Sequence, residues 1–237
     1  MAGKRVVVSV NVARPRPLKI GGRVRETGIF KEPQTGRIPI RGETVGDDVQ
    51  VDRRHHGGRF KAVYAYAEED YLWWSSQLGV ELGPGSFGEN ITTRGLDVTS
   101  VLIGERWRVG RAEIEVSDPR VPCSTLASKM RLEHGVKGFV KKFVAARRFG
   151  AYFLITEPGD VAAGDDIEVI HRPEHGVTIT DIADLVYAPD RAKAEEYLIA
   201  YSRQEQRDDW MGLIQEVEEK ASRSGDGQRG GDDPSTE

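Results

Sequence analysis

The chain has 237 residues, a net charge of −4 and a single cysteine. That length builds one large domain or a domain with an appendage, and the acidic balance speaks against a general binder of nucleic-acid polymers. One cysteine excludes an internal disulfide and a zinc site of several cysteines, and the absence of a long apolar run excludes a membrane-spanning helix and a signal-peptide core, so a soluble cytoplasmic protein is expected.

The 27 glycines fall between short apolar runs, which favours a strand-rich, turn-rich fold over a helical bundle. Val6 to Val10 is a β-branched run and reads as the first strand, broken by Arg14-Pro15-Arg16-Pro17. In Thr27-Gly28-Ile29-Phe30-Lys31-Glu32-Pro33, the small residues would let a ligand approach the backbone and Lys31 can meet an anion; an ordinary strand-to-turn junction explains the same residues. Ile38 to Ile40 is a short strand candidate. The polar stretch from Gly46 to Gly58 contains Asp52, His55 and His56. Adjacent histidines in an extended chain point to opposite faces, so a hydrogen bond from one of them to a ligand or a buried carboxylate fits better than a shared zinc ion.

Lys61 to Tyr66 reads as a strand and Glu68 to Leu78 as a helix, with Tyr71, Trp74 and Leu78 at helical spacing and Gly79 as its cap. The loop Pro84-Gly85-Ser86-Phe87-Gly88-Glu89-Asn90 offers donors and acceptors suited to a heteroaromatic ligand, though most such loops are merely turns. Val98 to Ile103, Arg106 to Val109 and the alternating Ala112 to Val116 are further strand candidates.

That last strand runs into Pro119 and Pro122, which cannot donate to a central ladder. Cys123 is therefore expected on a stiff segment just past a strand end, where Arg120 would favour a thiolate if it approaches; a lone cysteine is more often a small buried hydrophobe. Leu126 to Val144 has helical spacing interrupted by Gly135 and Gly138. Lys141, Lys142, Arg147 and Arg148 cluster near its end, placed to bind a phosphate or to complement the helix C-terminus. Tyr152 to Thr156 and Ile167 to Ile170 read as strands. Thr178 and Asp181 form a capping-box pattern, Ser202 and Glu205 another, and three short helices follow Val177. From Ser222 onward the chain lacks apolar residues apart from Pro234 and is expected to be disordered.

Taken in order, several of these stretches resemble the MOSC domain, the molybdenum-cofactor-sulfurase C-terminal family, and most closely its stand-alone bacterial YiiM-like branch. The matching residues are Thr27 to Pro33, Gly46-Asp47, Asp52 with His56-Gly57-Gly58, Lys61 to Tyr66, Phe87-Gly88-Glu89-Asn90, Pro119-Arg120-Val121-Pro122-Cys123 and Gly164-Asp165. The resemblance implies a mainly β, α+β fold: a β-barrel-like MOSC domain with peripheral helices over 1–175, a three-helix domain over 176–221 and a tail over 222–237. It implies molybdenum cofactor, a phosphate-bearing pterin dithiolene (molybdopterin), as the cofactor, with no pyridoxal phosphate. Cys123 would be the molybdenum ligand and catalytic centre, or in a carrier reading the site that stores or passes on cofactor or sulfur without turnover.

By the same resemblance Thr27, Lys31, His56, Phe87, Asn90 and Arg120 would line the site or touch the cofactor, and Arg148 would meet the pterin phosphate or nearby polar groups. Asp52 and His56 are the acids to consider. The implied activity is reduction of small N-hydroxylated compounds such as hydroxylaminopurine bases. With no Rossmann fingerprint and no iron–sulfur cysteine set, electrons would come from a separate donor protein, and a homodimer is compatible with the pattern. Two departures stand out: Ser124-Thr125 replaces the aromatic and basic residues common after the cysteine, and Phe60 replaces an acidic residue before Lys61.

Overall fold

The computed structural model describes residues 4–53 and 57–226. Thirteen strands occur among them: β1 (Val6–Ala13), β2 (Arg16–Ile20), β3 (Arg23–Thr27), β4 (Lys31–Pro33), β5 (Ile38–Arg41), β6 (Thr44–Val45), β7 (Val63–Ala67), β8 (Ile91–Arg94), β9 (Arg106–Val109), β10 (Ala112–Pro119), β11 (Ala151–Glu157), β12 (Gly159–Val161) and β13 (Ile167–His171). The helices are α1 (Glu68–Leu78), α2 (Ser124–His134), α3 (Phe139–Ala146), α4 (Ile179–Tyr187), α5 (Arg191–Glu196) and α6 (Gln204–Asp226).

Eight strands form one sheet in the order β13-β9-β10-β11-β7-β8-β1-β4. Its pairs are antiparallel except β7–β8, where α1 supplies the crossover that a parallel pair requires. The sheet curls until β1 meets the segment entering β13. Val7 N donates to Asp165 O (2.9 Å), Gly164 N to Val7 O (2.8 Å) and Ile167 N to Arg5 O (3.0 Å). The fold is thus mixed α+β and barrel-like, closed by these bonds and one bridge rather than by a continuous ladder.

Three local expectations change. Val98 to Ile103 is not a strand: Asp97 accepts a hydrogen bond from Thr99 N (3.0 Å) and folds Val98–Ser100 into a 3-10 turn. Lys61 belongs to the 3-10 turn Arg59–Lys61, and the strand starts at Val63. β10 continues through Pro119, where pairing with β11 persists while β9 covers only Ala112 to Glu115, so the missing prolyl N–H interrupts no shared ladder.

Two cores result. One joins the inner sheet face (Ile114, Val116, Phe153) to the C-terminal helices through Ile179, Ile182, Tyr201, Trp210 and Ile214. The segment from 176 onward therefore shares its core with the sheet, and α6 runs through Asp226, past the start of the tail expected from 222. The second core is aromatic: Tyr66, Tyr71, Trp74, Phe87, Phe139 and Phe143 pack with ring centroids about 5–6 Å apart. Burial holds the phenols of Tyr64, Tyr66, Tyr71 and Tyr201 well above their ordinary pKa. A phenol kept protonated by the fold contributes stability below its unfolded value of about 10 and loses it above, because the unfolded chain then binds fewer protons. Urea midpoints should be flat from pH 7 to 9 and fall steeply from pH 10 to 11.5; a flat alkaline limb would contradict the burial of these hydroxyls.

Candidate active site

The site is built where β10 ends. Arg120 N donates to Gly150 O (3.1 Å), fixing the chain as it leaves the sheet, and Val121-Pro122 then carries it to Cys123, the N-cap of α2. The Cys123 carbonyl accepts the first helical bond, from Ala127 N (3.1 Å), so the half-buried sulfur lies at the positive end of an eleven-residue helix. Arg120 is 3% exposed, donates through Nη1 to Val121 O (2.7 Å) and reaches Cys123 Sγ with Nη2 at 3.5 Å. Burial alone would lower the guanidinium's affinity for its proton. The Cys123 sulfur and the phenols of Tyr152 and Tyr64 outweigh it, and the group is held above its ordinary value. A fixed cation and a helix N-terminus together stabilise negative charge on sulfur. The buried Arg120 Nε has no hydrogen-bond partner among the described residues.

Cys123 and Arg120 face a cavity of about 100 Å³ that opens to solvent, whose other walls include Thr27, Lys31, Asp48, Tyr64, Asn90 and Tyr152. Its polar floor converges from the start of β4 and from two loops. Lys31 Nζ pairs with Asp48, Asn90 Nδ2 donates to Asp48 Oδ2 (2.9 Å), and Asp48 Oδ1 accepts from Ala13 N (2.8 Å). Burial pushes Lys31 below its ordinary pKa although Asp48 opposes the shift. Asn90 Oδ1 accepts from Tyr64 N (3.1 Å), and Thr27 Oγ1 from Ile29 N (3.2 Å). Burial raises the Tyr152 phenol to about 12 against the pull of Arg120.

The glycine loop is pinned from within. Glu89, fully buried, accepts from Tyr71 OH (2.5 Å), Gly85 N (2.6 Å) and Thr92 Oγ1 (2.7 Å). At φ +81° Gly85 lies against the Lys31 carbonyl, where a Cβ would collide, so this loop and the Lys31 segment fix each other.

Of the residues expected at the site, Cys123, Arg120, Thr27, Lys31, Asn90 and Phe87 border this one cavity. Phe87 does so as part of the wall, since its side chain is fully buried in the aromatic core. Gly28 does not leave room for a ligand on its Cα: the Val49 carbonyl fills that space. Arg148 is not at the cavity. It pairs with the buried Asp70 and lies 4.6 Å over the Trp73 ring, at the α1 side of the molecule. His56 lies outside the described residues, as does His55. Asp52 lines the cavity.

Sequence reasoning missed Asp48, Tyr64 and Tyr152 as lining residues, and Asp118. Asp118 borders a wide groove beside the cavity that Cys123 also lines, walled opposite by Glu205, Asp209 and Leu213 of α6. Burial there pushes its carboxyl up to about 7; Lys61 opposes this and Asp209 adds to it.

A curled, largely antiparallel sheet that carries one half-buried thiol beside a polar cavity floor defines an α+β domain of this kind. The MOSC domain family matches over residues 52–168, and the uncharacterized protein YflK of Bacillus subtilis (strain 168) is 38% identical over 173 residues, 73% of this chain and 76% of that protein. The chain belongs to the MOSC domain family. Its fold is similar to the crystal structure of YiiM from Geobacillus stearothermophilus, with a TM-score of 0.68, 27% identity and coverage of 89% of this chain and 99% of that one. A protein named reductase from Gibberella moniliformis (strain M3125 / FGSC 7600) is 25% identical over 187 residues, 77% of this chain and 32% of its own length. MOSC domains are associated with molybdenum-cofactor binding.

Proposed function

We propose that this chain is a molybdenum-cofactor-dependent oxidoreductase that reduces small N-hydroxylated compounds, with Cys123 as the protein's ligand to the metal and electrons supplied by a separate donor protein. The observation that carries the reading is the Cys123 sulfur, placed at a helix N-terminus 3.5 Å from a buried guanidinium and facing a cavity. A thiolate is the soft donor that suits such a metal, and it must be deprotonated to bind.

The remaining residues fit the cofactor. Among the described residues no group of three or more His, Cys, Asp or Glu side chains could hold a metal by itself, so one thiolate suits an ion that arrives with ligands of its own. Arg120 Nε, a buried donor without a hydrogen-bond partner among the described residues, is available to a ligand, and Thr27, Asn90 and Lys31 offer further polar atoms along the wall. When bound, the cofactor supplies the two-electron chemistry; the chain orients it and shapes the open side for substrate. The relative named reductase supports the same class of activity.

The test is to make the full chain in a host with a verified cofactor supply, measure molybdenum and pterin, and assay reduction of hydroxylaminopurine with a chemical reductant. Near-stoichiometric metal and turnover are expected. Metal without turnover, or a persulfide on Cys123 without metal, would instead support a carrier of cofactor or sulfur.

A further inference from the structure

The register of β10 against β11 shifts between Val116 and Asp118. Such an irregularity turns the strand and re-aims the next side chain, and it recurs beside active sites. Here it directs Asp118 to the boundary of two spaces: the wide groove onto which Cys123 opens, and a smaller pocket formed with Lys61, Tyr152, Val186 and Trp210. The Asp118 carboxylate makes no ion pair or side-chain hydrogen bond among the described residues.

Among the described residues, its surroundings come from several packed elements. The 3-10 turn at Arg59–Lys61 contributes Lys61, β11 contributes the phenol of Tyr152, and α6 contributes Asp209. The segment before α6 contributes Tyr201, whose buried hydroxyl has no hydrogen-bond partner among the described residues. From α4 come only the apolar Ile182 and Val186. Farther along the groove, Arg59 and Glu205 pair with each other at 3.3 Å.

We propose that Asp118 is the proton donor of this site, delivering a proton along the groove between β10 and α6 to the oxygen that leaves the substrate nitrogen. The role rests on the reductase reading above. Reduction of R–NHOH to R–NH2 and water breaks the N–O bond and consumes two electrons and two protons. A separate reduced protein supplies the electron pair, the Asp118 carboxyl protonates the departing oxygen, and solvent provides the second proton, to nitrogen. Asp118 is then reprotonated through the open groove. A carboxyl in water is ionised at neutral pH and cannot do this; one held at about 7 is half protonated there and can.

Two readouts test the role, both on the full-length holoprotein. The first needs no turnover. In a carbon-13 titration of labelled aspartates, one carboxyl should titrate near pH 7 in the wild type and be missing in Asp118→Asn; Asp209→Asn should move its midpoint down and Lys61→Met should move it up. The second is the pH profile of hydroxylaminopurine reduction. The wild-type rate should be level at low pH and fall about tenfold per unit above 7, while Asp118→Asn should be slower by about 10²-fold at pH 6, with no break near 7 and unchanged molybdenum content. The proposal is overturned if no aspartate titrates between pH 6 and 8, if Asp118→Asn keeps the wild-type rate and profile, or if it loses the metal. A wild type that reduces nothing while Asp118 still titrates near 7 would sink the reductase reading, and the donor role with it; that result is distinct from the other three.

Discussion

Cys123→Ser is expected to remove bound molybdenum and turnover while leaving the fold as stable as before, or slightly more so. The two halves have separate physical causes. Loss of an outer-sphere partner of a metal ligand typically costs 10–100-fold in affinity, so loss of the only protein ligand should cost more than about 100-fold, and a hydroxyl does not replace a thiolate for a soft metal. The fold responds differently because Cys123 is the N-cap of α2 and its side chain makes no capping hydrogen bond. Serine is among the best residues at that position, accepting from the second or third helical N–H, and a good cap contributes about 0.5–2 kcal/mol. Metal analysis beside a thermal melt therefore separates loss of a ligand from loss of structure. Retained metal in a well-folded Cys123→Ser protein would remove Cys123 from the ligand role. A melting point many degrees lower would mean the sulfur serves packing against Leu126 and its neighbours.

Local signals were enough for much of this architecture. Helix α1 is readable from Tyr71 and Trp74 at helical spacing and from Gly79, which takes the left-handed cap conformation at φ 65°. The capping box of Thr178 and Asp181 forms as its residue types dictate, with Asp181 N donating to Thr178 Oγ1 at 3.1 Å. The β2–β3 hairpin went unread although Gly21-Gly22, both at positive φ, is a two-residue turn signal, because its short strands are charged and largely exposed. Arg120 and Cys123 are neighbours in sequence, so their meeting could be anticipated. The cavity floor could not. Lys31 at the start of β4 and Asp48 and Asn90 on two loops are brought together by the pairing of β1 with β4 and β8, and nothing in the irregular stretch around Asp48 marks it as a partner for Lys31. Arg148 failed for the converse reason. A basic cluster after a helix reads as a phosphate site or a helix complement, whereas the observed partner is Asp70, an acid in the first turn of α1, far away in sequence.

The largest stability effect is expected at that floor, and it should be asymmetric. Lys31 and Asp48 are 8% and 7% exposed at their side chains, so each charge is compensated mainly by protein. Asp48→Ala leaves a buried cation without its counter-charge and also strips the acceptor from Ala13 N and Asn90 Nδ2. Breaking a buried pair in this way typically costs about 3–5 kcal/mol. Lys31→Met should cost less, because Asp48 would keep both of those donors and the methionine stem fills most of the vacated volume. The pH dependence gives the sign check. Burial already lowers Lys31, and without Asp48 it should fall further. Above that lowered value the folded chain has released a proton that the unfolded chain retains until about 10.4, so the stability of Asp48→Ala should rise with pH relative to wild type. Urea unfolding at pH 7 and pH 9 measures both effects: a large penalty for Asp48→Ala that shrinks at pH 9, and a smaller one for Lys31→Met with no such recovery. Equal penalties, or two values below about 1 kcal/mol, would mean that water reaches the pair and screens it as it does a surface ion pair. The cavity floor would then be too wet to hold Asn90 and Lys31 in fixed positions toward a ligand.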